Sequence, residues 1–344
     1  MLPVIDHAKS LMPCPGLRDL PAPPAGKAGW PWTEDISLPE STKAGCAWPR
    51  ITIVTPSFNQ GCFLEETIRS VLLQGYPNLE YIVMDGGSGD NSVNIIKKYA
   101  AWLTYWTSEP DGGQSAAINR GLNLGTGFFA GWINSDDLLH RDALLSQVSR
   151  HGLSEKTIYA GICTYVNSAG ARQSAHQGRV HSLEDLARIR TVWRSGGQIV
   201  QPEVLFPRQL FIDVGGLDAG NHRTMDYELW GKFLLAGAAF EYTDIQFAMF
   251  REHEQQKTHA MLRQTRSLIA SAKLLVSQAS FSDVKKDALL SDLDDYICEY
   301  EKHHWLASGR LSRLGLPREL VVTLRRLGEW LQKRRPIHPV RPIS

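Results

Sequence analysis

Apolar runs and helical stripes begin to take turns at Arg50. Ile51-Thr52-Ile53-Val54 is a β-branched run ending at Pro56, the pattern of a buried strand. Leu64, Ile68, Val71 and Leu72 then recur at helical spacing until Gly75 and Pro77 stop the helix. Tyr81-Ile82-Val83-Met84 reads as a second strand, closed by Asp85-Gly86-Gly87-Ser88-Gly89-Asp90. Asp90 is placed to cap a helix whose buried face is Val93, Ile96 and Ala100. The pattern predicts a third strand over 102–106, a helix over 114–124 and a fourth strand over 128–133, which runs into Asn134-Ser135-Asp136-Asp137.

Strands alternating with helices predict an α/β fold, Rossmann-like, with a mostly parallel sheet flanked by helices. Ligands of such sheets sit outside the carboxyl ends of the strands. Three polar segments fall there, Thr55-Pro56-Ser57, 85–90 and 134–137, far apart in sequence and convergent in the fold. After Asp137 the alternation weakens, with strands expected over 157–165, 199–206 and 247–251 and a helix over 226–235. Beyond His259 the chain turns helical, with stripes at Leu268, Ala272, Leu275 and Ala279, then Leu289, Leu293, Ile297 and Tyr300. A last stripe, Leu320, Leu324, Leu327 and Leu331, follows Pro317 and carries Arg318, Arg325, Arg326 and Lys333. Residues 1–48 are rich in Pro and Gly without periodicity, as expected of an extended arm or a partly disordered leader. The expected organisation is thus an extension over 1–48, a catalytic domain over 49–259 and a helical, basic region over 260–344. The catalytic domain divides into a nucleotide half over 49–137 and an acceptor half over 138–259.

Composition alters this picture in two places. The net charge of +1 advertises no nucleic-acid partner, yet 301–344 holds ten Lys and Arg against three Asp and Glu. That local excess of +7 leaves about −6 for the rest, so membrane contact through a basic terminal helix is an expectation, each Lys or Arg adding ~1 kcal/mol near an anionic surface. The five cysteines include no CxxC pair, which argues against a disulfide framework or zinc knuckle and for a reducing, cytoplasmic location. No basic-then-apolar leader opens the chain, and the apolar run over 128–133 is far shorter than the roughly 20 residues of a membrane span.

The candidate chemistry is acidic. Adjacent carboxylates Asp136 and Asp137 after a buried strand repel each other, and a hard divalent cation completed by phosphate oxygens relieves that; alternatively, one caps the next helix and the other is solvated. Asp85, at a strand end, can accept hydrogen bonds from a base or ribose, although the turn after it lacks GxGxxG. Asp226 opens a helix at Asp226-Tyr227-Glu228-Leu229-Trp230, either as a dipole-favoured first-turn acid or as a general base, with Glu228 next in line. His253-Glu254 is not the zinc motif HExxH, because position 257 is Lys257.

Together these segments resemble the family-2 glycosyltransferases of GT-A fold. The resemblance rests on 53–59, 85–90, Asp111-Gly112-Gly113-Gln114-Ser115, Asn119-Arg120-Gly121, 134–137, Gly215-Gly216-Leu217-Asp218 and 225–230, in the family's order across roughly 50–256. It implies an inverting, hexosyltransferase-type enzyme that moves a sugar from a UDP-, GDP- or dTDP-linked donor to a glycan or lipid-linked hydroxyl. It assigns Thr55, Pro56, Ser57, Asp85, Gln114 and Asp136 to the donor, Asp137 and His253 to Mn²⁺ or Mg²⁺, and Asp226 to the role of base. Two other readings compete. A sugar-phosphate nucleotidyltransferase needs a basic Gly-rich loop after the first strand, and 57–61 has no Lys or Arg. A non-catalytic nucleotide-sugar or glycan-binding module has no need of Asp226.

Overall fold

The computed structural model describes residues 15–36, 48–254, 261–307 and 318–333; Cys14, Cys46 and Pro317 lie outside the described residues. Strand β1 (Ile51–Ser57) lies between β2 (Leu79–Asp85) and β4 (Phe129–Trp132), with β3 (Tyr105–Ser108) outside β2, and all of these pairs are parallel. The β-branched run of β1 is buried on both faces, as a covered parallel strand requires. Ile51 and Ile53 pack with α1 (Leu64–Leu72) and α2 (Ser92–Tyr99), and Val54 packs with α3 (Gln114–Leu124). Gly121 allows α3 to sit this close, since a Cβ there would lie 2.6 Å from a Val54 methyl.

The second half of the sheet is mixed. β8 (Val204–Pro207) runs antiparallel to β4, β6 (Thr157–Asn167) antiparallel to β8, and β9 (Ala239–Glu252) parallel to β6. The two-residue β5 (Leu138–Leu139) pairs with β9, and β7 (Arg172–His176) forms a hairpin with β6. The sheet order is β3-β2-β1-β4-β8-β6-β9-β5, with β7 off β6. The nucleotide half is thus all parallel, whereas the acceptor half mixes antiparallel pairs with the parallel β6–β9 pair. Helices α4 (Ala143–Arg150), α5 (Leu183–Ala187), α6 (Arg208–Asp213) and α7 (Met225–Leu235) complete this part. Helix α8 (Met261–Gln278) buries Leu268, Ala272 and Leu275 in one core with Trp230, and α9 (Asp283–Ala307) adds Leu289 and Leu293. Helix α10 (Arg318–Lys333) follows, with Leu320, Val322 and Leu327 exposed. No helix among the described residues is long and apolar enough to cross a membrane.

Several local expectations shift. Residues 100–102 make a 3-10 turn and the third strand starts at Tyr105. Of 199–206, only the end is strand, because 201–203 form another helical turn, while the strand expected over 247–251 is part of the 14-residue β9. Asp90 is not the N-cap residue; Asn91 is, and the Asp90 carboxylate accepts from Ser92 N at 2.9 Å and Gly61 N at 2.8 Å.

The larger surprise is the N-terminal extension. Within 15–36, Leu20 and Trp32 are buried, and the segment lies against α1. The reason is Arg69, fully buried on α1, whose guanidinium donates to the carbonyls of Pro21 (2.8 Å), Pro31 (3.1 Å) and Trp32 (3.2 Å). A buried charge needs its hydrogen bonds, and this one is supplied with carbonyls by the segment expected to be a loose arm.

Candidate active site

The carboxyl ends of β1, β2 and β4 open on a cavity of about 710 Å³. Its near wall carries Pro56, Ser57, Gln114, Asn134, Asp136 and Asp137; its far wall carries Asp226 and Tyr227 from the start of α7. The convergence expected from topology is thus present, with two exceptions. Thr55 is buried in the sheet, bonded to the Tyr81 hydroxyl at 2.9 Å, and is absent from the cavity wall. Asp85 lines a smaller neighbouring pocket of about 220 Å³. Its carboxylate is 1% exposed and accepts from Gly87 N, Ser88 N, Ser88 Oγ and Ser108 Oγ. In this structure it shapes the glycine-rich turn. Ser57 differs: its hydroxyl is buried at the cavity edge without a hydrogen-bond partner among the described residues.

The paired carboxylates divide. Asp137 is 1% exposed and accepts from Arg251 N (3.0 Å) and Asn134 Nδ2 (3.2 Å). Burial, reinforced by the neighbouring Asp136, pushes its carboxyl well above the usual range. Asp136 is partly exposed and meets His253 Nε2 at 3.0 Å. The imidazole therefore approaches Asp136, where the resemblance grouped it with Asp137. Gln114 reaches the same assembly by donating to Asn134 Oδ1 at 2.8 Å. Arg251 ties the loop down: 2% exposed, it donates to the carbonyls of Asp136 (2.9 Å) and Ser168 (3.0 Å) and pairs with Glu66 at 3.3 Å. Among the described residues no three His, Cys, Asp or Glu side chains gather as a ready metal cage.

Asp226 stands apart. Half-buried, its carboxylate accepts only the N–H of Tyr227, at 2.9 Å, among the described residues. Burial raises its pKa, and the backbone N–H groups of Tyr227 and of Asp226 itself oppose the shift only in part. A carboxylate with a raised pKa and an open oxygen is equipped to take a proton. Glu228, by contrast, is engaged by Lys232 at 2.9 Å and Asn221 at 2.9 Å.

Sequence reasoning missed Phe58, Trp193, Arg194, His222 and Arg223, which also line the cavity. Phe58 lay inside the quoted motif 53–59 but was given no role. The others come from aperiodic loops, where pattern carries no signal. Arg251 was more readable, since a charged residue inside an apolar strand needs a partner.

The sequence profile of the family described as Glycosyl transferase family 2 matches residues 52–215. An uncharacterized glycosyltransferase of Rickettsia typhi is 28% identical over 217 residues, 62% of this chain and 67% of the relative. One from Rickettsia felis is 26% identical over 60% of this chain but only 35% of its own length. Among solved structures, S. aureus TarS residues 1–349 with UDP superimposes with a TM-score of 0.54 at 17% identity, covering 84% of this chain and 88% of that one. The complex of the same protein with UDP-GlcNAc gives 0.54 and 17% over 71% of each chain. At that identity the likeness is one of fold. Asp226 and His253 lie beyond the profile match.

Proposed function

Since the chain belongs to glycosyl transferase family 2 and has the GT-A fold, we propose that it transfers a sugar from a nucleoside-diphosphate sugar to a glycan or lipid-linked hydroxyl, with inversion and with Asp226 as base. The observation that carries this reading is the cavity itself, which joins the strand-end loops of β1 and β4 to an Asp226 carboxylate with one open oxygen. In one displacement the acceptor oxygen bonds to the anomeric carbon and the bond to the diphosphate oxygen breaks. The acceptor proton passes to Asp226, and the nucleoside diphosphate leaves with the electron pair. Proton transfer of this kind contributes typically 10²–10⁴-fold.

The donor contacts of this reading are Pro56, Ser57, Gln114 and Asp136, with Thr55 and Asp85 shaping the strand ends behind them. The residues also fit a divalent cation. Asp136 and His253 present oxygen and nitrogen ligands, with Asp137 behind them, a donor set that suits Mn²⁺ or Mg²⁺ completed by substrate phosphates. When bound, such an ion neutralises charge growing on the departing diphosphate. UDP-GlcNAc, bound by S. aureus TarS, makes a uridine donor the first to try.

The test is nucleoside diphosphate release from UDP-, GDP- and dTDP-sugars with Mn²⁺, Mg²⁺ or EDTA. Release that needs an acceptor and stops with EDTA is expected; binding of every donor without turnover would instead favour a non-catalytic sugar-binding module. The exposed Leu320, Val322 and Leu327 of α10, in the basic terminal region, favour peripheral contact with an anionic membrane. Deleting 317–344 should then abolish binding to anionic liposomes.

A further inference from the structure

Both lining arginines, Arg194 and Arg223, belong to the acceptor half, where Asp226 is the one lining carboxylate among the described residues; the other three, Asp111, Asp136 and Asp137, belong to the nucleotide half. Arg50, Arg120, Arg141, Arg150, Arg188, Arg190, Arg251 and Arg266 each pair with a carboxylate. These two do not. Arg194 donates only to the Thr265 hydroxyl at 3.3 Å, which ties it to α8, and its Nε is buried without a partner. The Arg223 guanidinium is exposed at the cavity and has no hydrogen bond or ion pair among the described residues.

Neither arginine is joined to the proposed base: no hydrogen bond or ion pair links Arg194 or Arg223 to Asp226 among the described residues. The loop bearing Arg223 is also drawn over the cavity. The neighbouring His222 ring lies 4.0 Å from where a side chain would start on Gly113, whose φ of +97° favours glycine. Beside Arg194, Trp193 stands edge-on to Tyr227 with ring centroids 4.8 Å apart, so an aromatic surface suited to a sugar ring adjoins the unpaired guanidinium. A guanidinium whose fork is left open in a partly closed site matches the two oxygens of a carboxylate or phosphate.

We propose that the acceptor carries an oxyanion, phosphate or carboxylate, close to the sugar that receives the transfer, and that Arg194 and Arg223 bind it. The inference rests on the glycosyltransferase reading for the word acceptor; the anion site itself does not. It narrows the acceptor class from glycans in general to acidic ones, such as phosphate-bearing or uronic-acid-bearing chains.

The experiment is calorimetric titration of the full chain at low ionic strength with glucose, glucose 6-phosphate and glucuronate. Each is titrated alone and with saturating UDP, GDP or dTDP plus Mn²⁺. Either anionic sugar should bind at least about tenfold more tightly than glucose, with or without nucleotide, consistent with the ordinary strength of charge-assisted hydrogen bonds. Which of the two does so separates phosphate from carboxylate. Arg194→Gln and Arg223→Gln should each lose most of that preference. Equal binding of all three sugars, or anion binding unchanged in both variants, overturns the proposal. So does displacement of the anion by nucleoside diphosphate, which would assign the arginines to the donor. If no nucleotide binds, the donor reading fails while the anion arm still reports on the arginines; Arg223→Gln, at an exposed position, keeps the test open if Arg194→Gln does not fold.

Discussion

The two halves of the cavity treat their polar groups in opposite ways. In the nucleotide half, the Asp85 carboxylate accepts four hydrogen bonds, Asp137 accepts two, and Gln114 and Asn134 are bonded to each other. In the acceptor half, Asp226 accepts one, and the guanidiniums of Arg194 and Arg223 are largely open. A site whose groups are already held presents a fixed shape before the ligand arrives. Groups left open keep their hydrogen-bonding capacity for the ligand and for the proton that moves. On this comparison the first half is built for placement and the second for selection and chemistry.

The largest effect that sharpens this contrast is at Asp226. Asp226→Asn keeps the shape and removes the base, so turnover should fall about 10²–10⁴-fold while affinity for nucleoside diphosphate stays unchanged. A full transfer rate would place the base elsewhere and dissolve the division of labour. The complementary change is Asp136→Asn. It should weaken Mn²⁺-dependent nucleotide binding by roughly 10–100-fold, read by titration with and without EDTA. Unchanged binding would remove the cation from the Asp136–His253 pair.

The same contrast explains what was legible in the sequence. β1, β2 and β4 carry contiguous apolar runs that end at polar motifs, so the convergence of Ser57 and Asp136 followed from topology. The cavity's far wall is assembled from 193–201, 222–227 and the start of α8, distant loops whose meeting no local pattern encodes. Asp226 was readable because it opens a periodic helix; Arg194 and Arg223 were not. The ordered segment 15–36 escaped for another reason. Its apolar residues are few and aperiodic, and it is held by its backbone carbonyls, which every sequence possesses.

That segment offers the next test, because its carbonyls brace α1 of the nucleotide half through Arg69. Arg69→Met fills most of the volume but leaves the carbonyls of Pro21, Pro31 and Trp32 without their donor. Unsatisfied buried groups cost about 1–3 kcal/mol each, and relaxation toward solvent offsets part of this, so a net loss of about 2 kcal/mol is expected by denaturant unfolding. The Glu66–Arg251 pair links the same helix to Asp136 and Asp137, so donor affinity should weaken as well. A stable variant with unaltered nucleotide binding would show that the segment merely rests on the domain.

The smallest effect concerns a buried acid below the acceptor half. Glu203 is fully buried; its Oε1 accepts from Val200 N at 3.1 Å, Gly178 N–H also bonds it, and Oε2 has no partner. Burial pushes its carboxyl well above its ordinary value of 4.5, and the two N–H groups oppose this only in part. The folded protein therefore keeps a proton that the unfolded chain releases. The stability it contributes is complete below the unfolded pKa and declines as pH rises toward the folded one. Glu203→Gln keeps the oxygen that accepts from Val200 and cannot ionise. The two proteins should be of similar stability near pH 4, and wild type should fall behind progressively as pH rises. Asp137 and Asp226 contribute slopes of the same sign in both proteins, so the difference between the curves isolates Glu203. Parallel curves would mean that Glu203 ionises in the fold without penalty, and that the floor of the acceptor half is as fully compensated as the strand ends opposite.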